Sequence, residues 1–191
     1  MSVFDLISSR RSIRKYKSDP IPDESLRKIL QAGILAPSGN NRQTWKFYVV
    51  QGEKRTEMVE RLKEGLDNRV KQGEDIAGAK HSFDIMAEAP VTVFVFRPNR
   101  TAPWPAGSQR QHFSDVVDVQ SVGACIQNMI LMAEEMGIGS LWICDIFSAY
   151  EELSDWLGES TEMIAAVSFG LADEHPAARK RKSFDEVVHW L

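Results

Sequence analysis

Cysteine is scarce. Cys125 and Cys144 are the two in 191 residues, too few for a disulfide scaffold. Histidine is sparse and scattered: His81, His112, His175 and His189 fall in no HExxH or related spacing, and no CxxC occurs, so no metal site is expected. There is no GxSxG elbow, no GxGxxG and no P-loop. Gly137-Ile138-Gly139 lacks the third glycine and follows a helix-like stretch instead of a strand, which excludes the common serine-hydrolase, dinucleotide and P-loop sites. The longest continuous apolar run, residues 91–96, is far short of the ~20 residues of a membrane helix. Neither sign of charge dominates: 23 Lys and Arg against 27 Asp and Glu give a net charge of -4, which offers no global case for nucleic acid. The opening MSVFDLISSRRS has no apolar core, so no secretory signal is read there. Repeats, low-complexity tracts and dividing linkers are lacking too. With 43% hydrophobic and 26% charged residues, the expectation is a globular, cytoplasmic protein with one domain over residues 1–191.

What is present has readable periodicity. Ser2 with Asp5 three positions on resembles a capping box, and Val3, Leu6 and Ile7 share a helical face. Pro20 and Pro22 interrupt the chain, after which Asp23 and Glu24 suit the positive end of a helix with the stripe Leu26, Ile29, Leu30 and Ile34. That helix should stop by Ala36, before Pro37. A polar turn at 38–44 precedes a strand alternating Trp45, Phe47, Val49 with Lys46, Tyr48, Val50. Residues 53–72 predict an exposed helix along Met58, Leu62 and Leu66, and residues 91–96 a buried strand. Residues 97–111, rich in proline around Trp104, read as a long loop over a binding site. Residues 121–136 are apolar nearly all round and read as a helix buried centrally or between subunits. Strands at 141–143 and 163–169 flank a short helix at 150–157 that Gly158 closes. Helices alternate irregularly with strands, so the pattern is α+β.

Three polar segments remain. Residues 10–17 carry Arg10, Arg11, Arg14, Lys15 and Lys17, either a solvated helix end or an anion site built on arginine forks. Residues 37–45, Pro-Ser-Gly-Asn-Asn-Arg-Gln-Thr-Trp, are an ordinary turn or the polar edge of a heterocycle site. Arg179 to Lys182 are a solvated terminus or a second set of cations. No segment decides alone.

In order and spacing, however, RRSIRKY, PSGNNRQTW, GIGSLWI and the basic pair near the end resemble the nitroreductase family of FMN-dependent oxidoreductases over nearly the whole chain. The resemblance implies a three-layer α+β sandwich with a mostly antiparallel central sheet flanked by helices, and a homodimer with FMN at the interface. It assigns Arg10, Arg11, Ser12 and Arg14 to the cofactor. Pro37, Ser38, Gly39, Asn41 and Gln43 match the segment offered by the second subunit. Ile143 and Cys144 fall where a strand passes the flavin ring, and Arg179 and Arg181 match the cations that reach the phosphate. Thr44 departs from the family's proline before Trp45, and no mid-chain contact is assigned near residues 82–85. The implied activity is hydride transfer from NADH or NADPH through the flavin to a nitroaromatic, quinone or activated alkene. No protein acid or base is required for it. An arginine facing flavin N1 would stabilise the charge of the reduced ring; Arg14 takes that role, with Arg10 the alternative. Specialised relatives (dehalogenase-like or flavin-fragmenting), a non-catalytic flavin carrier and a basic-tailed regulatory domain stay open. Cys125 is expected in the core, and Cys144 as a small buried residue unless it tunes the ring.

Overall fold

The computed structural model describes residues 2–101 and 108–191. Four strands, β1 (Lys46–Gln51), β2 (Val91–Thr101), β3 (Gly139–Ile143) and β4 (Thr161–Gly170), form one sheet in the order β1-β2-β4-β3, each neighbouring pair antiparallel. Strand pleating sorts β2 into two cores: Val91, Val93 and Val95 face one side, Phe94 and Phe96 the other. A bulge in β4 turns Ile164 and Ala165 to the same side, where the register with β2 shifts between Val95 and Phe96. Thr92 and Ser168, opposite each other and buried, share a hydroxyl–hydroxyl hydrogen bond of 3.2 Å.

The first face is covered by α2 (Asp23–Ile34) and α5 (Gln109–Glu135), through Leu26, Ile29, Cys125, Ile126 and Met129. The second is covered by α3 (Lys54–Lys71), α4 (Ala77–Glu88) and α6 (Tyr150–Leu157), through Met58, Leu62, Phe83, Met86 and Leu153. Helix, sheet and helix make the expected three-layer α+β sandwich. Two short helices without buried residues, α1 (Val3–Ser9) and α7 (Phe184–Val187), lie outside it.

Local signals hold at several ends. Ser2 and Asp5 form a full capping box on α1, α2 stops at Ile34, and α6 ends at Gly158 with φ +63°. One expectation about the elements is corrected. Residues 97–111 are not one loop, because β2 continues to Thr101 and α5 begins at Gln109, capped by Ser108. The buried Arg97 makes this possible: it pairs with Glu162 on β4 and, at 2.9 Å, with Asp115 on α5. Trp104 lies outside the described residues. Helix α4 had no counterpart in the sequence reading. The apolar stretch 121–136 is buried centrally, one of its two expected placements, and the exposed apolar side chains of α5 are Phe113, Val116, Val117 and Val119 in its first half. By length and composition α5 could cross a membrane; its buried residues instead pack it as a core helix.

Candidate functional site

The sheet's β3 edge positions the first basic segment. Ile13 N–H donates to Ser140 O at 2.9 Å, and Ser12 bridges Ser140 in parallel. Gly139 permits this approach, since a Cβ there would lie 2.9 Å from Ile13 Cγ1. On its other side the segment pairs antiparallel with the chain leaving β4: Lys17 N–H donates to Leu171 O and Asp173 N–H to Lys15 O, both at 2.9 Å, around a Tyr16–Ala172 bridge. Ile13 and Tyr16 are thereby buried, while Arg10, Arg11, Ser12 and Arg14 stay half-buried.

These four residues line a cleft of about 310 Å³ whose opposite wall is residues 176–179 and Arg181. Two basic segments from the ends of the chain therefore meet in one place. Their guanidinium groups are not equivalent. Arg11 Nη1 donates to the Ser8, Ser9 and Arg10 carbonyls at 2.7, 2.9 and 3.0 Å, satisfying the C-terminal end of α1. Arg14 Nη1 donates to Ser12 O at 3.1 Å, which fixes its side chain. Arg10, Arg179 and Arg181 make no side-chain hydrogen bond or ion pair among the described residues. Unpaired forks converging on one cleft match the charge and geometry of a phosphate.

A second polar segment is built separately. Gly39–Asn41 form a 3₁₀ turn in which Asn40 and Asn41, followed by Gln43, take φ of 54°, 54° and 51°. Three non-glycine residues in the left-handed region cost free energy and persist only where surroundings hold them. Here α5 does so: Gly39 N–H donates to Ser121 Oγ at 3.2 Å, and Arg42 donates to Ser114 Oγ at 3.1 Å and to Asp118 Oδ1 at 2.7 Å. Ser38 Oγ accepts the Gln43 N–H at 2.9 Å. Pro37, Asn41 and Gln43 are exposed on the result, whereas Thr44 is buried with its hydroxyl unpaired among the described residues. None of residues 37–43 lines the basic cleft, so one chain brings the first and last motifs together and leaves this one apart.

At the far end of β3, Ile143 is buried in the core and Cys144 is exposed, contrary to the expectation of a buried thiol. Partial burial and the neighbouring Asp145 raise the Cys144 thiol above its ordinary value. Cys125 is core as expected, and burial pushes its thiol up to about 12. Ser82 on α4 donates to Asp145, so α4 reaches this same end of β3. A larger cleft of about 410 Å³ between α3 and α6 is walled by Glu57, Glu64, Glu151 and Asp155. Its carboxylates repel a phosphate, so charge outweighs size in choosing between the two.

The Nitroreductase family model matches residues 7–171. A protein of Archaeoglobus fulgidus named for NADH dehydrogenase/NAD(P)H nitroreductase activity is 30% identical over 138 residues, 72% of this chain and 64% of its own length. The NADPH-flavin oxidoreductase of Vibrio harveyi is 26% identical over 98% of this chain and 73% of its own. The chain thus spans less than two thirds of the archaeal relative. Among solved structures, a nitroreductase of Desulfovibrio desulfuricans in complex with FMN superposes with a TM-score of 0.77 at 26% identity, covering 100% of this chain and 98% of that one. The family model covers most of the chain, and the chain belongs to the nitroreductase family.

Proposed function

We propose that this chain is an FMN-dependent oxidoreductase that uses NADH or NADPH to reduce an electron-poor acceptor, working as a homodimer. The observation that carries the reading is the cleft where Arg10, Arg179 and Arg181 have no side-chain partner among the described residues. An acidic protein has gathered cations there, and a guanidinium about 4 Å from a phosphate contributes several kcal/mol at an effective dielectric near 20. No glycine-rich turn is present to cradle a pyrophosphate, which favours FMN over FAD.

When bound, FMN supplies two-electron chemistry at N5, between a reduced nicotinamide and a nitroaromatic, quinone or activated alkene. The chain's own residues bind and tune. Arg10, Arg179 and Arg181 hold the phosphate. Arg14, kept in place by Ser12 O, is set to face the electron-rich edge of the ring and favour its reduced form. At about 310 Å³ the cleft is at the small end of ligand pockets, which suits the phosphate end of the cofactor and leaves the ring to be covered from elsewhere. The segment Pro37 to Gln43 rides on the half of α5 whose Phe113, Val116, Val117 and Val119 are exposed. Pairing of two chains through that face would bury apolar surface and offer Asn41 and Gln43 to the partner's cleft.

Purified protein should be yellow, and heat release should yield FMN by mass. It should oxidise NADH or NADPH steadily with an added quinone, giving parallel lines in a double-reciprocal plot because donor and acceptor react in turn. A colourless protein, or FAD as the main species, overturns the reading.

A further inference from the structure

The way the two walls of the cleft are joined singles out a residue that no motif pointed to. Backbone pairing between residues 15–17 and 171–173 ends at the Asp173 N–H to Lys15 O bond of 2.9 Å. At the next position the joint passes to a side chain: the Glu174 carboxylate accepts the backbone N–H of Arg14. Glu174 is half-buried and does not itself line the cleft. Two residues on, Pro176 begins the wall that carries Arg179 and Arg181. Among the described residues no other hydrogen bond joins residues 174–181 to residues 10–14.

That single bond is under load. Arg10, Arg11, Arg14, Arg179 and Arg181 share one cleft, and like charges at such separations repel. A carboxylate accepting a backbone N–H forms a charge-assisted bond, stronger than a neutral one, and it adds one negative charge beside the five positive ones. It therefore opposes the spreading of the walls in two ways.

We propose that Glu174 is a positioning residue for the phosphate end of the cofactor, holding the Arg179 and Arg181 wall against the Arg10 to Arg14 wall so that their guanidinium groups converge on one anion. The inference rests on the FMN reading above. It assigns Glu174 an effect mainly on the phosphate, because the wall it holds carries the phosphate cations Arg179 and Arg181, whereas the Arg14 side chain that faces the ring is anchored separately by Ser12 O.

The test compares FMN with riboflavin, which lacks the phosphate, by fluorescence titration of the apo full-length dimer in wild type, Glu174→Ala and Glu174→Gln. Wild type should prefer FMN. Glu174→Ala should weaken FMN about tenfold, the scale of one charge-assisted hydrogen bond, while riboflavin changes less than about twofold. Glu174→Gln, which still accepts the Arg14 N–H, should recover most of the FMN affinity. The proposal is overturned if Glu174→Ala binds FMN as wild type does, if FMN and riboflavin weaken equally, or if either variant binds FMN more tightly because a repulsive charge has gone. Circular dichroism of both variants separates unfolding from local loosening; should the alanine variant unfold, equal FMN affinity of Glu174→Gln and of wild type supports the proposal, and a tenfold loss in Glu174→Gln overturns the acceptor role. Wild-type protein with no preference for FMN over riboflavin overturns the cofactor reading itself.

Discussion

Arg42 Nη2 lies 2.7 Å from Asp118 Oδ1, and this pair ties the left-handed turn at residues 39–43 to α5. Asp118 is almost fully buried while Arg42 is a third exposed, so loss of the acid strands a charge that water can still reach. Asp118→Ala should therefore cost about 2 kcal/mol, less than breaking a fully buried pair. For a chain of this size that lowers Tm by roughly 4–8 °C. Because the turn carries Asn41 and Gln43, the same variant should also retain less FMN on purification. An unchanged Tm with full FMN content would show that the turn is held by other contacts.

Acid stability should report on Glu159. Burial raises its carboxyl, but hydrogen bonds from Lys46 at 2.6 Å, from the Thr161 backbone at 2.9 Å and from Tyr48 at 2.9 Å outweigh this and hold it at about 2 against an ordinary 4.5. A depressed value means that the folded state favours the ionised form. Its contribution is complete above about 4.5 and is lost as pH falls toward about 2. Denaturant midpoints measured across that window should fall more steeply for wild type than for Glu159→Gln. Parallel pH profiles for the two proteins would remove Glu159 from the account.

The legible elements were those whose signals are local. Ser2 with Asp5, the stripe of α2 ending before Pro37, and Gly158 after α6 each carry their reason within a few residues. Helix α4 was not legible: it has no side-chain cap at Ile76, and its buried stripe includes the small Ala79 beside Phe83, Ile85 and Met86. The first half of α5 was hidden for another reason. Its polar residues Asp115 and Asp118 look solvated in sequence, yet their partners are Arg97 and Arg42, distant along the chain. In the candidate site the clustered arginines were legible as charge and spacing, and the turn as Ser-Gly-Asn-Asn. The left-handed φ of Gln43 was not, because glutamine has no local preference for it. Glu174 was invisible because its partner is 160 positions away.

The two thiols should separate by chemistry. Cys144 is exposed at the end of β3, whereas Cys125 is buried and pushed up to about 12. Native protein should take one equivalent of iodoacetamide, at Cys144 by peptide mapping, and two after unfolding. The rate should rise as pH passes above neutral, because burial and Asp145 raise the Cys144 thiol. Bound FMN should slow the reaction if the ring passes this end of β3. Equal labelling of both cysteines in the native state would contradict the burial on which the difference rests.

The shared site makes the sharpest demand. Arg14 lines the cleft, and Asn41 sits on a turn anchored to α5 that does not reach it within one chain. In a dimer with composite sites, each cofactor would meet Arg14 of one chain and Asn41 of the other. Arg14→Glu places an anion beside the phosphate or the reduced ring, and Asn41→Asp places one beside the flavin, so each homodimer should bind FMN poorly. Co-expressed with different affinity tags, the two chains form a heterodimer in which one site carries both lesions and the other carries neither. Such heterodimers, isolated by tandem purification, should hold about half the wild-type FMN and show about half its NAD(P)H oxidation. If they stay as empty as the parent homodimers, Arg14 and Asn41 do not meet across chains. The exposed face of α5 at Phe113, Val116, Val117 and Val119 would then need an occupant other than a second copy that completes the cleft.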